Sequence, residues 1–346
     1  MTKEFATYRE IITQTEAWSQ AIETVDEKKI SLKKIFQEPY KQIIFTGCGS
    51  TYYLSLAASA LFQELTGKIA KGVPAGELLL NPKSVYPGDE KILLVAVSRS
   101  GESTETVMAV DQFIKNNKGT VITITNSDQK PFSEIGAENL VIPAGQEESI
   151  AQTRAFTSMY VCATAVAAAV AGREDLFDLI KGLPAAGKEL MGQYEPFAKE
   201  LGEDLELDRF YFLGSGARYG LACEANLKMK EMTLTHSEPF HFFEFRHGPK
   251  SMVQKTAAIS AFLSSSSYSQ EKSVVNEMKE LGARIITTAQ QDADIRLPTA
   301  LPEEIVNVLY IPVMQLTAYY RSLAKGLNPD RPNHLDKFVK LDYMDG

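Results

Sequence analysis

The sequence has few of the residues from which metal clusters and disulfide frameworks are built. It contains four histidines and three widely separated cysteines, Cys48, Cys162 and Cys223. Cysteines of this number and spacing are typical of reduced thiols in an intracellular protein, so we expect neither a disulfide nor a metal site. The first residues, MTKEFATYREI, include acids and lack an apolar core, which excludes a signal peptide at this position.

Long apolar runs and an excess of positive charge are also missing. The longest apolar run, residues 161–172, is too short to span a bilayer. The formal net charge of −8 argues against a nucleic-acid partner. We therefore expect a cytoplasmic protein without membrane or nucleic-acid partners, in which any anionic ligand is held by local donors.

The most informative stretch is ILLVAVSRSGESTET, residues 92–106. Its first six residues, Ile92 to Val97, predict a buried strand, and a glycine-containing turn and a helix follow. Such a turn offers backbone N–H groups and a helix dipole to an anion. Within seven residues it adds four hydroxyls and one guanidinium, from Ser98, Arg99, Ser100, Ser103 and Thr104. The alternative is an ordinary helix cap, but a cap needs only one hydroxyl.

Strands and helices alternate along the chain, which predicts parallel sheets covered on both faces. FTGCGSTYYLSLAASAL in the first half matches FLGSGARYGLACEANLK at a constant offset of 167 residues. This self-match predicts two tandem copies of one α/β unit, each a parallel sheet between layers of helices. The expected division is a helical segment (1–36) packing across the first domain, domain one (37–172), a helical linker (173–207), domain two (208–327) and a tail (328–346).

Two turns of the first half follow predicted strands, at residues 47–51 and 98–104. Ligands of open parallel sheets bind beyond the carboxyl ends of the strands, so both turns are expected to converge on one ligand. The second copy reads GARYG where the first has serine and threonine, so only the first keeps an obvious anion site.

These motifs carry a family resemblance. GCGST, SRSGEST, EANLKMKE and FEFRHGP resemble the sugar isomerase (SIS) domains of phosphosugar-binding enzymes. The chain is most similar to the isomerase half of glucosamine-6-phosphate synthases. It is also similar to stand-alone type II glucosamine-6-phosphate deaminases and fructosamine-6-phosphate deglycases.

The resemblance implies a set of binding residues. The family's phosphate-binding positions fall on Ser50, Thr51, Ser98, Arg99, Ser100 and Ser103. Its sugar-contacting positions fall on Cys48, Gly49, Ile150 and Gln152. Arg99 stands where synthases usually have glutamine and Gln152 where they have serine, so both positions are expected to influence which sugar is accepted.

The resemblance also implies three catalytic residues. Glu231 would move a proton between C1 and C2, because burial can raise a carboxylate pKa towards neutrality. His247 would open the sugar ring, and Lys337 would form a Schiff base with the carbonyl or hold an ammonium over it. From the residues alone the alternatives stay open: a solvated Glu231 contacting Lys228, a core histidine and a solvated tail lysine.

The function implied is a cofactor-free enzyme acting on an amino hexose 6-phosphate, with ammonia released from glucosamine 6-phosphate as the leading case. Alternatives are a fructosamine-6-phosphate deglycase, a ketose/aldose isomerase and a non-catalytic sugar-phosphate sensor. The lack of a glutaminase segment in the sequence argues against a glutamine-dependent synthase. In the family, His247 is expected to come from a second subunit, so the resemblance implies a homodimer with shared active sites.

Overall fold

A computed structural model describes residues 5–336 except 87, 89 and 117. The chain divides into two compact units, each built around its own sheet. The first-sheet unit holds Thr13–Glu147 and Arg154–Lys181, and the second-sheet unit holds the N-terminal residues to Ile12, Glu148–Thr153 and Gly182–Leu335. The predicted boundaries of the domains remain a prediction.

The elements alternate between helix and strand as the sequence predicts. The strands are β1 (Gln42–Gly47), β2 (Ala70–Pro74), β3 (Ile92–Ser98), β4 (Gly119–Thr125), β5 (Glu138–Val141), β6 (Arg209–Leu213), β7 (His236–Phe240), β8 (Ala257–Phe262), β9 (Arg284–Ala289) and β10 (Ile295–Arg296). The helices are α1 (Ala6–Ile12), α2 (Gln14–Phe36), α3 (Ser50–Thr66), α4 (Ala75–Leu80), α5 (Pro82–Val85), α6 (Thr104–Lys115), α7 (Arg154–Val170), α8 (Glu174–Leu179), α9 (Leu183–Glu203), α10 (Ala217–Thr233), α11 (Phe242–Phe245), α12 (Tyr268–Glu280), α13 (Glu303–Val306) and α14 (Pro312–Ala324). Short 3-10 turns lie at Pro143–Gly145, Ile180–Gly182, Pro249–Met252 and Asn307–Tyr310.

Both sheets are parallel and share one topology. The first has the order β2-β1-β3-β4-β5 and the second β10-β9-β8-β6-β7, so in each the strands stand in the order second, first, third, fourth, fifth. This is the flavodoxin-like order, whose ligand site lies where the first and third strands meet. The predicted tandem α/β fold is confirmed.

The core of the first-sheet unit follows from its apolar strands. Every residue of β3 is buried, as expected for a central strand covered on both faces. Helix α2 packs on α7, where the indole Nε1 of Trp18 donates to Thr157 Oγ1 at 2.9 Å. Helix α1 instead belongs to the second-sheet unit and packs on α14. The prediction that both N-terminal helices cover the first domain is therefore wrong for α1.

In the second half of the chain, prolines lie near the start of two helices and within one strand at the edge of the sheet. Residues 174–201 and 302–323 each form more than one helix, with Pro184 and Pro312 near the start of the later helix, where a missing N–H costs nothing. Strand β7 was not predicted, because HSEPF contains a proline and few apolar residues. It lies at the edge of its sheet, the position that tolerates proline. Among the described residues, no helix combines the length and the apolar character needed to cross a membrane.

Candidate functional site

Two turns meet at the carboxyl edge of the first sheet. Strands β1 and β3 are hydrogen-bonded neighbours, with Thr46 opposite Ala96. A Cβ on Gly47 would lie 2.8 Å from the carbonyl oxygen of Val97 and 2.4 Å from Thr51 Oγ1, so only glycine permits this approach. The predicted convergence of residues 47–51 and 98–104 is thus what the sheet produces. Helices α3 and α6 both begin at this edge.

The hydroxyls of these turns also shape the turns themselves. Thr51 Oγ1 donates to the carbonyl of Cys48 and accepts from its N–H, both at 2.9 Å. Ser98 Oγ accepts from Gly101 N, and Ser100 Oγ accepts from Glu102 N, each at 3.1 Å. A serine that accepts from the backbone keeps its own O–H to donate, so both can serve an anion as well. Ser50 is buried at the start of α3, and Ser103 precedes α6.

Arg99 is paired within the protein. Its Nη1 lies 3.5 Å from Glu147 Oε2, and both side chains are buried. The other oxygen of Glu147 accepts the N–H of Ala155 in the first turn of α7, at 3.3 Å. The carboxylate therefore balances much of the positive charge that Arg99 would offer to a phosphate.

A cavity of about 250 Å³ lies beside this ion pair. Arg99 and Glu147 line it together with polar side chains from the ends of β3 and β4, among them Ser100, Glu102, Ser127 and Gln129. The cavity is polar and charged, so it suits a hydrophilic ligand rather than an apolar one.

The two predicted sugar-contacting residues of the first loop have distinct local roles. Cys48 is half-buried with Sγ 3.4 Å from Thr106 Oγ1, and burial raises the pKa of its thiol, which keeps it protonated. Gly49 has φ +56°, a conformation that disfavours other residues. The cysteine is therefore a small, protonated side chain that packs against Thr106.

The other predicted sugar-contacting residues lie in the second-sheet unit, in the segment Glu148–Thr153. The buried carboxylate of Glu10 accepts hydrogen bonds from the backbone of Glu148 and from Ser149. Ile150 N–H donates to the carbonyl of Asp330 at 3.0 Å. Neither anchor, Glu10 or Asp330, could be recognised from the sequence, because isolated acids far away in the chain carry no motif.

Glu231 is part of a charged cluster on one face of α10. The ammonium of Lys228 bonds Glu231 Oε1 and lies 3.1 Å from Glu224 Oε1. The side chains of Lys228 and Glu224 are 1% and 0% exposed, and that of Glu231 is 13% exposed. Burial by itself lowers the pKa of Lys228, but the two carboxylates outweigh it and hold the pKa above its ordinary value. The spacing E-x3-K-x2-E, which places all three on one helical face, was the signal available in the sequence.

His247 is exposed, two residues beyond α11. The backbone N–H of His247 donates to the backbone carbonyl of Glu244 at 3.0 Å, and the following Gly248 has φ +114°. The predicted third catalytic residue, Lys337, lies outside the described residues.

Helices α10 and α11 lie on opposite faces of the second sheet. Phe210 and Tyr211 are consecutive in β6, so their side chains point to opposite faces. The ring of Tyr211 lies 5.0 Å from that of Phe245 in α11, whereas Arg321 of α14 stacks 5.0 Å from the ring of Phe210. Because α14 packs on α10, α10 shares the face of Phe210.

This placement separates two predicted catalytic residues. Glu231 lies on α10 and His247 follows α11, so one chain holds them on opposite sides of one sheet. The structure of a single chain therefore does not bring these two residues together.

A model of the SIS domain matches residues 38–169 and 206–322, which confirms the resemblance read from the motifs. Glutamine–fructose-6-phosphate aminotransferases from Pyrococcus horikoshii and Sulfurisphaera tokodaii are each 28% identical over 96% of this chain. The chain spans little more than half of each of these relatives, 57% and 56%.

Solved structures extend the comparison. A glucosamine-6-phosphate deaminase from Thermotoga maritima is 28% identical, with a TM-score of 0.80, over 97% of this chain and 100% of that one. A tagatose-6-phosphate ketose/aldose isomerase from Escherichia coli is 24% identical, with a TM-score of 0.85 over 95% of both chains, and shows the common fold.

Proposed function

The chain belongs to the SIS domain family, and from that membership we propose that it is a phosphosugar isomerase that deaminates glucosamine 6-phosphate to fructose 6-phosphate and ammonia. The observation that carries the proposal is the match with the Thermotoga maritima deaminase, which extends over nearly the whole of both chains. The proposed enzyme is cytoplasmic and needs no cofactor, since proton transfer and ring opening require only side chains.

The substrate's phosphoryl group would bind where β1 and β3 end. The proposed ligands are Ser50, Thr51, Ser98, Ser100 and Ser103, with backbone N–H groups at the start of α3 and α6. Arg99 would contribute less charge than its guanidinium suggests, because Glu147 already pairs with it. Cys48, Gly49, Ile150 and Gln152 are the proposed contacts to the sugar.

The chemistry follows from three groups. His247 protonates the ring oxygen, which opens the sugar to the C1 aldehyde. Glu231 removes the C2 proton and delivers it to C1, while a second proton passes from the nitrogen to O1, so the C1 aldehyde becomes an alcohol and the C2 amine an imine. Water then adds to the imine carbon, and ammonia leaves to give the ketose. Lys337 would assist at the carbonyl or imine carbon.

Lys228 supports the role of Glu231. Its ammonium holds Oε1 of the carboxylate and so fixes how the group is presented at the surface of α10. A carboxylate fixed in this way can reach two adjacent carbons without searching many rotamers.

The active enzyme would be a homodimer that shares its sites. Glu231 and His247 lie on opposite faces of one sheet, so a sugar that meets both must take one of them from a second copy. The side chains of Phe243 and Met252, on either side of His247, are 55% and 54% exposed, and such apolar exposure suits a surface that a second chain covers.

The test is to incubate the protein with glucosamine 6-phosphate and to measure ammonia and fructose 6-phosphate. We expect both products in equal amounts. Glu231→Gln should reduce turnover by roughly 100-fold or more, as should His247→Ala on the cyclic sugar. Matched controls are Glu280→Gln and His236→Ala, exposed residues that should leave turnover unchanged.

Other results would select an alternative. Turnover of a fructosamine 6-phosphate without ammonia from glucosamine 6-phosphate would support the deglycase. Interconversion of an aldose and a ketose phosphate alone would support a simple isomerase. Sugar-phosphate binding without turnover, unchanged in Glu231→Gln, would identify a sensor.

A further inference from the structure

The second sheet repeats the backbone of the first anion-binding edge. Gly216 has φ +58° before α10, as Gly49 has φ +56° before α3. Leu213 pairs with Ala261 as Thr46 pairs with Ala96. Positions at this edge of the first sheet therefore have counterparts in the register of the second.

This correspondence assigns counterparts to two proposed phosphate ligands. Arg218 lies five residues beyond Leu213, as Thr51 lies five beyond Thr46. Ser265 lies four residues beyond Ala261, as Ser100 lies four beyond Ala96. Arg218 and Ser265 thus occupy the positions of Thr51 and Ser100 in the second copy.

In the second copy these two residues hold an anion that belongs to the chain. The carboxylate of Glu303, the first residue of α13, accepts the N–H of Ser265 at 3.1 Å and 3.0 Å with its two oxygens. Arg218 Nη1 donates to the same carboxylate at 2.6 Å. The Nε of Arg218 is buried without a hydrogen-bond partner among the described residues, so the site has a donor to spare.

A second carboxylate, from the first turn of α12, bonds to the same turn. Glu271 Oε2 accepts the N–H of Ser264 at 2.6 Å, and its side chain is buried. Burial raises the pKa of Glu271, which reduces its repulsion of a neighbouring anion.

We propose that the second sheet carries a phosphate-type anion site equivalent to that of the first, and that the carboxylate of Glu303 is its built-in ligand. The chain would therefore bind one sugar phosphate and not two. Removing the carboxylate would leave Arg218, Ser265 and the start of α12 to accept a phosphoryl group. The inference rests on the proposed function only in taking Thr51 and Ser100 as phosphate-binding positions.

The test is to titrate the full chain with inorganic phosphate by calorimetry. We expect one equivalent bound per chain in the wild type and two in Glu303→Ala. Adding Arg218→Ala to Glu303→Ala should weaken the new site by roughly tenfold or more, since it removes a charge-assisted hydrogen bond. Glu304→Ala is the matched control: it removes the same charge from the next residue and should bind one equivalent.

A second variant keeps the test decisive if Glu303→Ala does not fold. In Glu303→Gln the amide fills the space but leaves the charge of Arg218 uncompensated, so phosphate binding should exceed that of the wild type and remain sensitive to Arg218→Ala. Unchanged stoichiometry in both variants would overturn the inference. Failure of the wild type to bind phosphate would count against the proposed function instead, while a gain in Glu303→Ala would still support the second site.

Discussion

At the scale of single residues, the role of a buried charged side chain depends on the opposite charge that lies next to it. Arg99 in the turn after β3 faces Glu147, and Lys228 on α10 faces two carboxylates. The contact between Glu231 and Lys228, which the sequence suggested as an alternative to a catalytic role, is present in the structure. It does not exclude catalysis, because a carboxylate held by a buried ammonium is also well positioned.

The charged cluster on α10 yields a stability prediction. Lys228→Met should destabilise the protein by about 3–5 kcal/mol, because it leaves Glu224 and Glu231 buried without a counter-charge. The raised pKa of Lys228 means that its contribution is fully present below the ordinary lysine pKa and is lost only as pH rises through the higher folded value. Urea unfolding at pH 7 therefore measures the full contribution of Lys228 to the free energy of unfolding.

Two variants complete that measurement. The exposed neighbour Lys230→Met should change stability by no more than about 0.5 kcal/mol. Adding Glu224→Gln to Lys228→Met should recover part of the loss, because it removes one of the uncompensated charges. No recovery would mean that packing, and not charge, dominates at this position.

At the scale of elements, the segment Glu148–Thr153 shows how distant residues define a loop. Glu10 and Asp330 fix its backbone. The carboxylate of Asp330 also caps α1, accepting from Ala6 N at 3.1 Å and from Thr7 N at 2.8 Å. One residue therefore joins α1, the predicted sugar-contacting segment and the start of the tail that carries Lys337.

This junction gives a prediction for Asp330→Ala. Loss of the cap should cost about 1–2 kcal/mol in urea unfolding. Under the proposed function, the deaminase kcat should also fall under conditions in which the Asp330→Ala protein is fully folded. Asp330→Asn keeps one acceptor oxygen and should retain most of the stability and most of the kcat. The exposed Glu206→Ala should be neutral, and an Asp330→Ala enzyme that loses stability but not kcat would limit this residue to a structural role.

At the scale of the whole molecule, the positions of α10 and α11 on opposite faces of one sheet make the proposed shared site testable with two variants. If each site takes Glu231 from one copy and His247 from another, the two single variants should complement each other. An equal mixture of Glu231→Gln and His247→Ala, refolded together, should regain about one quarter of wild-type activity, since half of the dimers are mixed and each has one intact site.

The control for complementation is the double variant Glu231→Gln/His247→Ala mixed with either single variant, which should stay inactive. Activity that fails to reappear in the mixture of single variants, while both are folded, would contradict the shared site.

The local sequence determined the fold and the edge of the first sheet where an anion is predicted to bind. Apolar runs such as Ile92–Val97 are typical of central strands, and the self-match at 167 residues implied the repeated topology. Glycines with no room for a side chain, such as Gly47, marked where strands and turns approach closely. These features depend on residues near each other in the chain, so they could be predicted.

Tertiary structure alone decided which charges far apart in the chain meet. Nothing local indicated that Glu147 would face Arg99, that Glu10 and Asp330 would hold Ile150 in its loop, or that Glu303 would occupy the second edge. The strand β7 was hidden for the same reason, since its polar sequence forms a strand only through its neighbour β6. Pairings between residues far apart in the chain depend on the packing of whole elements, which the periodicity of one segment does not encode.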